Sequence, residues 1–324
     1  MQSLSKPDIQ IITGAVSSLI QNRSSLSCSI ALARFCSVSP HGSILTFRPL
    51  KAGLSRALVL IPLSLSFSLY SQQGADEARE SARNPVADVI KVPFVEDIFV
   101  DTGRYGRTAN SLQIQPVIPV QISGNFLLVP RIVATPLAYV PDVTQAKGGT
   151  TGVADTILTF FITPVRTGKL IWGVGPALLI PTSTSADVGG GRWDLGPSFV
   201  LLTEPKWGSA GLLVQNIWSL PGNSRRVSVD QIQIETSFSA NLPHGWYLLT
   251  APTISADWIQ AAGNRWVVPF GAGTGRVFDF GHQAMDFNIA LYYNAIRPAR
   301  LPFAKWQLSL QLTLLYPKKR KPTS

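Results

Sequence analysis

The chain has 324 residues, of which 45% are hydrophobic and only 14% charged, against about 25% charged in ordinary soluble domains. Past residue 72 no stretch offers the ~20 mainly apolar residues of a membrane helix: the longest charge-free apolar window, 170–186, is broken by Gly173, Gly175, Pro176 and Pro181. The formal charge of +10 is concentrated at the ends, because the first 71 residues hold six of the 28 Lys and Arg and one of the 18 Asp and Glu; the rest of the chain gives no electrostatic ground for binding nucleic acid.

Residues 1–45 are rich in serine, show no periodic pattern and carry both cysteines, Cys28 and Cys36. They are expected to be a leader of doubtful status, ahead of the true start near Leu50 or Leu54, with a leader that has its own role as the other reading. Residues 46–72 are predicted to be a secretory signal peptide: Arg48, Lys51 and Arg56 precede the apolar block 58–70, and the small or polar residues 71–75 follow. A segment at 73–93 is expected to lie in the periplasm or to plug a barrel. The barrel itself is expected over 94–316, and Lys318, Lys319, Arg320 and Lys321 mark a basic tail at 317–324. After the leader there is no cysteine, which excludes a disulfide scaffold, thiol catalysis and a cysteine-based zinc site.

The predicted strands are 94–102, 111–122, 125–136, 154–164, 169–181, 192–204, 207–219, 228–241, 244–258, 264–278, 284–297 and 305–316. In the last, Trp306, Leu308, Leu310, Leu312, Leu314 and Tyr316 alternate with Gln307, Ser309, Gln311 and Thr313. A period of two puts those sets on opposite faces, one suited to lipid and the other to water. Strands 111–122, 228–241 and 284–297 alternate in the same way, whereas 154–164 and 207–219 are apolar on both faces and imply a narrow, partly apolar lumen. Short and long connections take turns along the chain, the long ones at 103–110, 137–153, 182–191, 220–227, 259–263 and 298–304. That is the habit of an antiparallel up-and-down transmembrane β-barrel, all-β and of about twelve strands. The prolines at 116, 119, 176, 197, 252 and 269 count against it, because each deletes a ladder donor.

The polar parity supplies the candidate pore-lining residues Gln113, Gln115, Gln231, Gln233, Glu235, Asp257, Arg265, Asp286, Asn288, Gln307 and Gln311. The charged members Glu235, Asp257, Asp286 and Arg265 form either a selective constriction or structural cross-links. Near the strand ends fall Trp193, Trp207, Trp218, Trp246, Trp258, Trp266, Trp306 and Tyr316, a candidate girdle at the membrane interfaces. Trp246 and Trp258 share a face; at roughly 3.3 Å per residue and ~45° tilt they stand about 28 Å apart along the membrane normal, near the ~25 Å of a barrel's apolar band. His244 and His282 fall in predicted turns, and no serine stands at a telling spacing from either, so no enzyme, no metal and no cofactor is expected. The glycine runs 189–191 and 271–275 lack the strand, turn and helix context of a phosphate loop, and alternate Gly271, Gly273 and Gly275 are expected to face the lumen.

The stretches 84–94, 112–120, 170–176, 195–198 and 245–248 resemble a family of uncharacterised Gram-negative outer-membrane proteins, whose relatives are labelled transporters or grouped with the proteins of the meta-pathway of phenol degradation. The resemblance covers about 84–316. It implies a barrel in the cell outer membrane, inserted by the barrel-assembly machinery, with the lipid bilayer and a small-molecule solute as partners and no catalytic residues to carry over. The long leader and the residues beyond Tyr316 depart from the family's pattern. The expected function is a passive channel or transporter for small solutes, apolar or aromatic ones among them; the alternatives are a lipid-modifying enzyme of that membrane and a structural or adhesive barrel.

Overall fold

The computed structural model describes residues 89–166, 168–221, 228–280, 283–298 and 303–317. The leader, the signal segment, residues 73–88, His282 and the tail from 318 lie outside the described residues.

Fifteen β segments join one antiparallel sheet: β1 Val89–Thr102, β2 Arg107–Ile114, β3 Val120–Gln121, β4 Phe126–Pro141, β5 Gly149–Gly152, β6 Thr156–Pro164, β7 Leu170–Ile180, β8 Asp194–Thr203, β9 Gly208–Ser219, β10 Asp230–Asn241, β11 Trp246–Thr250, β12 Thr253–Asp257, β13 Trp266–Phe280, β14 Gln283–Ile296 and β15 Trp306–Pro317. Neighbours in the sheet follow chain order, and β15 pairs with β1 from Val89↔Pro317 to Val100↔Trp306. β2 with β3, and β11 with β12, are single staves interrupted once, while β5 is a short return strand on the end of β4. The result is a closed antiparallel barrel of twelve staves. Closure leaves no sheet edge, the condition for strands to stand in lipid.

The barrel wall begins five positions earlier than the pattern indicated. Residues 89–93, expected in a periplasmic or plug segment, belong to β1 and pair with Thr313–Pro317. They escaped notice because Lys91 and Pro93 break the expected run of strand formers. Both are buried on the inner side, while Ile90, Val92 and Phe94 alternate outward. The first long connection is also shorter than expected: β2 starts at Arg107, so 103–106 form a tight turn, and Gly103 and Gly106 take the positive φ that it requires.

The prolines sit where the ladder can spare a donor. Pro116 and Pro119 fall in the break between β2 and β3, where Val117 keeps bridges to Lys91 and Arg131. Pro252 falls in the break between β11 and β12. The groups freed there find other partners: the Ala251 amide donates to the Tyr292 hydroxyl at 3.0 Å, and the Thr250 hydroxyl donates to the Gly271 carbonyl at 2.7 Å. Pro269 adjoins a register shift against β14, and Pro176 faces Pro197 across β7 and β8.

The inner face is far from uniformly polar. Val117, Leu127, Val129, Phe161, Val200 and Leu213 form a buried cluster inside the wall, as the double-sided apolar strands implied. At the end with the longer connections, Val188 packs with Ala138, Val140 and Phe99. The carboxylate of Asp155 holds that connection over the mouth, accepting from the amides of Ser183 at 3.0 Å and Gly191 at 2.9 Å. The glycines at 189–191 thus serve a packed loop: a Cβ on Gly189 would run into Ser183 and Asp155.

Candidate functional site: the barrel interior

Alternation delivers one residue in two to the inside of each stave, and the polar parity chosen from sequence is the inner one. Gln113, Gln231, Gln233, Asp257, Asp286 and Asn288 are buried; Gln115, Glu235, Gln307 and Gln311 are partly buried around the interior space. A buried amide or carboxylate must find a partner, and here the partners are mostly one another.

Five of these contacts join into a chain that crosses the interior. The Gln307 amide donates to Asp97 Oδ1 at 3.1 Å, and the Gln113 amide donates to Asp97 Oδ2 at 3.3 Å. Gln115 donates to Gln113 Oε1 at 2.7 Å, and Arg131 Nη2 donates to Gln115 Oε1 at 3.2 Å. The same guanidinium then meets Glu235 with both ends of its fork, Nη1 to Oε1 and Nη2 to Oε2, each at 3.2 Å. A two-point contact of this kind fixes orientation as well as charge. The chain runs from β15 through β1, β2 and β4 to β10.

The other candidates stand apart from it. Asp286 accepts from the Tyr247 hydroxyl at 2.6 Å near the short-turn end. Gly275 is required there, because a Cβ at that position would enter the Tyr247 ring. Gly271 and Gly273 also point inward, pressed against the backbone of β14. Asp257 closes the opposite rim and accepts from the Ile259 amide at 2.9 Å, while Arg265 donates to the Gln260 carbonyl at 2.6 Å. Asp257 and Arg265 thus share one rim, where the Asp257 amide donates to the Arg265 carbonyl at 3.1 Å, while Glu235 and Asp286 stand apart from them, and Glu235 takes its opposite charge from Arg131. Gln233 pairs with Gln215 at 2.6 Å.

Sequence reasoning overlooked Arg131, Asp97, Gln215, Tyr247 and Tyr292. Arg131 left a usable signal: it is the lone charge in the mainly apolar stretch 125–136, and such a residue in a membrane strand turns inward. Asp97 gave none, since Glu96 beside it offers the same charge on the opposite parity. Glu96 points outward and accepts from the Asn110 amide at 2.9 Å.

The space inside includes cavities of about 240 and 250 Å³. The first lies toward the longer connections and mixes Phe99, Tyr292 and Phe303 with Gln113, Asn294 and Gln307. The second lies toward the short turns, between Leu202, Tyr247 and Asp286. Both are walled by Gln115, Arg131 and Glu235.

The outer face is a band of exposed apolar side chains bounded by aromatic residues. Trp193, Trp218, Trp258 and Trp306 are exposed at the end with longer connections, where Trp266 stands edge-on to Trp258 at 5.8 Å. Trp207, Trp246 and Tyr316 are exposed at the short-turn end. Trp172 joins them there; it was the one tryptophan not counted in the predicted girdle. His244 takes a positive φ in its turn, is exposed, and makes no side-chain hydrogen bond among the described residues. Those residues include no group of three or more His, Cys, Asp or Glu able to hold a metal ion.

No family model matches the sequence, and no curated protein does. Among solved structures, an outer membrane channel from Pseudomonas putida F1 superposes with a TM-score of 0.54 at 17% identity, covering 72% of this chain and 97% of the other. The CymD monoaromatic hydrocarbon channel gives a TM-score of 0.40 at 10% identity over 75% of this chain and 93% of its own. The toluene transporter TodX of Pseudomonas putida gives 0.37 at 9% identity over 77% and 94%. The first match establishes a shared fold, that of a closed antiparallel β-barrel; the other two are too distant to carry an argument.

Proposed function

We propose that this protein is a passive channel in the cell outer membrane for small solutes, apolar and aromatic ones among them. The observation that carries the reading is the closed barrel with an apolar outer band and an interior that holds space beside its buried apolar cluster. Twelve staves stand between filled eight-stranded barrels and the open 16–18-stranded porins. The cavity toward the longer connections offers aromatic faces beside amides, a lining for a small flat solute with a polar edge. The stretches that resemble the phenol-degradation proteins favour the same class of solute. The strand pattern also fits a client of the barrel-assembly machinery.

The test is reconstitution of the purified protein. Liposomes that contain it are expected to swell in small neutral solutes, and planar bilayers are expected to carry current. Toluene is expected to displace an apolar fluorophore bound in the interior. If there is neither swelling nor current, the channel reading is lost.

A further inference from the structure

The ion pair between Arg131 and Glu235 has an unusual place. Its strands, β4 and β10, stand nearly opposite in the ring, with β6, β7, β8 and β9 between them on one side and six staves on the other. Arg131 also bonds Gln115 on the neighbouring stave, whereas the Glu235 side chain bonds Arg131 alone among the described residues, and the two charges meet across the interior. Both belong to the lining shared by the two cavities, beside Leu249, Thr253, Asn288 and Gln311, and they are the only oppositely charged pair in it.

We propose that the Arg131–Glu235 pair is a gate, closed in this structure, that a solute must part to pass between the two cavities. This rests on the channel reading above. A structural cross-link and a gate differ in how tightly the pair is sealed. The side chains of Arg131 and Glu235 retain 13% and 27% of their exposure, so water reaches both, and a wetted pair is held far more loosely than one sealed in an apolar core. The guanidinium has a resting contact on its own side: Gln115 accepts from Nη2, and Gln115 is held by Gln113 and, through it, by Asp97. When Glu235 is released, Arg131 therefore keeps a hydrogen-bond partner near the wall, and the partly exposed carboxylate of Glu235 is taken up by water, so the middle of the lumen is cleared.

The experiment compares the swelling rates of liposomes in arabinose for the full-length wild type, Arg131→Gln, Glu235→Gln and the exchanged double variant R131E/E235R. Each single change is expected to raise the rate severalfold, and the exchange is expected to bring it back toward wild type by rebuilding the bar. Folding is followed by the shift in gel mobility on boiling. If a single variant does not fold, R131A/E235A replaces it; that double variant leaves no uncompensated charge and is expected to be the most permeable of all. A permeable wild type with R131A/E235A no faster would overturn the gate and leave the channel standing. No permeation by any variant would overturn both.

Discussion

At the scale of single residues, many of the polar groups of the interior pair with one another. Gln215 and Gln233 are both buried and share one hydrogen bond of 2.6 Å. Changing Gln233 to Leu would leave the Gln215 amide unpaired, and the loss is expected to be about 1–3 kcal/mol, as for other buried polar groups that lose a partner. The double change Q215L/Q233L removes both groups and is expected to cost less than the single one. Urea unfolding in detergent micelles, read by tryptophan fluorescence, gives both values, and a double variant weaker than the single would contradict this account. Gly275 makes a simpler case. Its missing side chain is the room that the Tyr247 ring occupies, so Gly275→Val is expected to abolish the heat-sensitive compact band on a gel.

At the scale of elements, the closing seam decides assembly. Residues 89–93 pair with the last five residues of β15, so a chain that starts at residue 94 would leave that end of β15 without its neighbour. Such a truncation is expected to fold in lower yield from urea into micelles than one that starts at residue 84; equal yields would show that the first turn of pairing is dispensable. The interrupted staves show why proline is tolerated in this sheet. At Pro252 the tyrosine hydroxyl of β14 and the threonine hydroxyl of β11 replace ladder bonds, so Tyr292→Phe is expected to destabilise the barrel although it removes one oxygen atom only.

At the scale of the whole molecule, one surface faces lipid and the other faces water. An arginine placed on the outer band, at Ile289 on β14, is expected to cost about 2–4 kcal/mol near the midplane. The same residue placed inward, at Gln311, is expected to cost little, because the interior already holds polar groups and water. The contrast between the two positions, measured by unfolding in lipid bilayers, tests the orientation of the sheet in a way that neither position does alone.

The sequence by itself determined the strands, their faces and the apolar band with its tryptophan rims, because alternation and turn chemistry are local and each strand declares its own inside and outside. Ten of the twelve staves could be placed within a few residues for that reason, and Gln113, Gln233, Asn288 and Gln311 were assigned to the inner side from parity alone. The exceptions were the first stave, whose start Lys91 and Pro93 obscured, and the third, which continues past Pro136 to Pro141 and takes β5 from the expected connection 137–153. Only the tertiary structure decided which inner residues meet. Closure brings β4 opposite β10, and this turns the lone Arg131 of one strand into the partner of Glu235, 104 positions further along the chain. A strand's period fixes the direction of a side chain, but the circumference of the ring fixes what stands across from it, and no local pattern carries that distance.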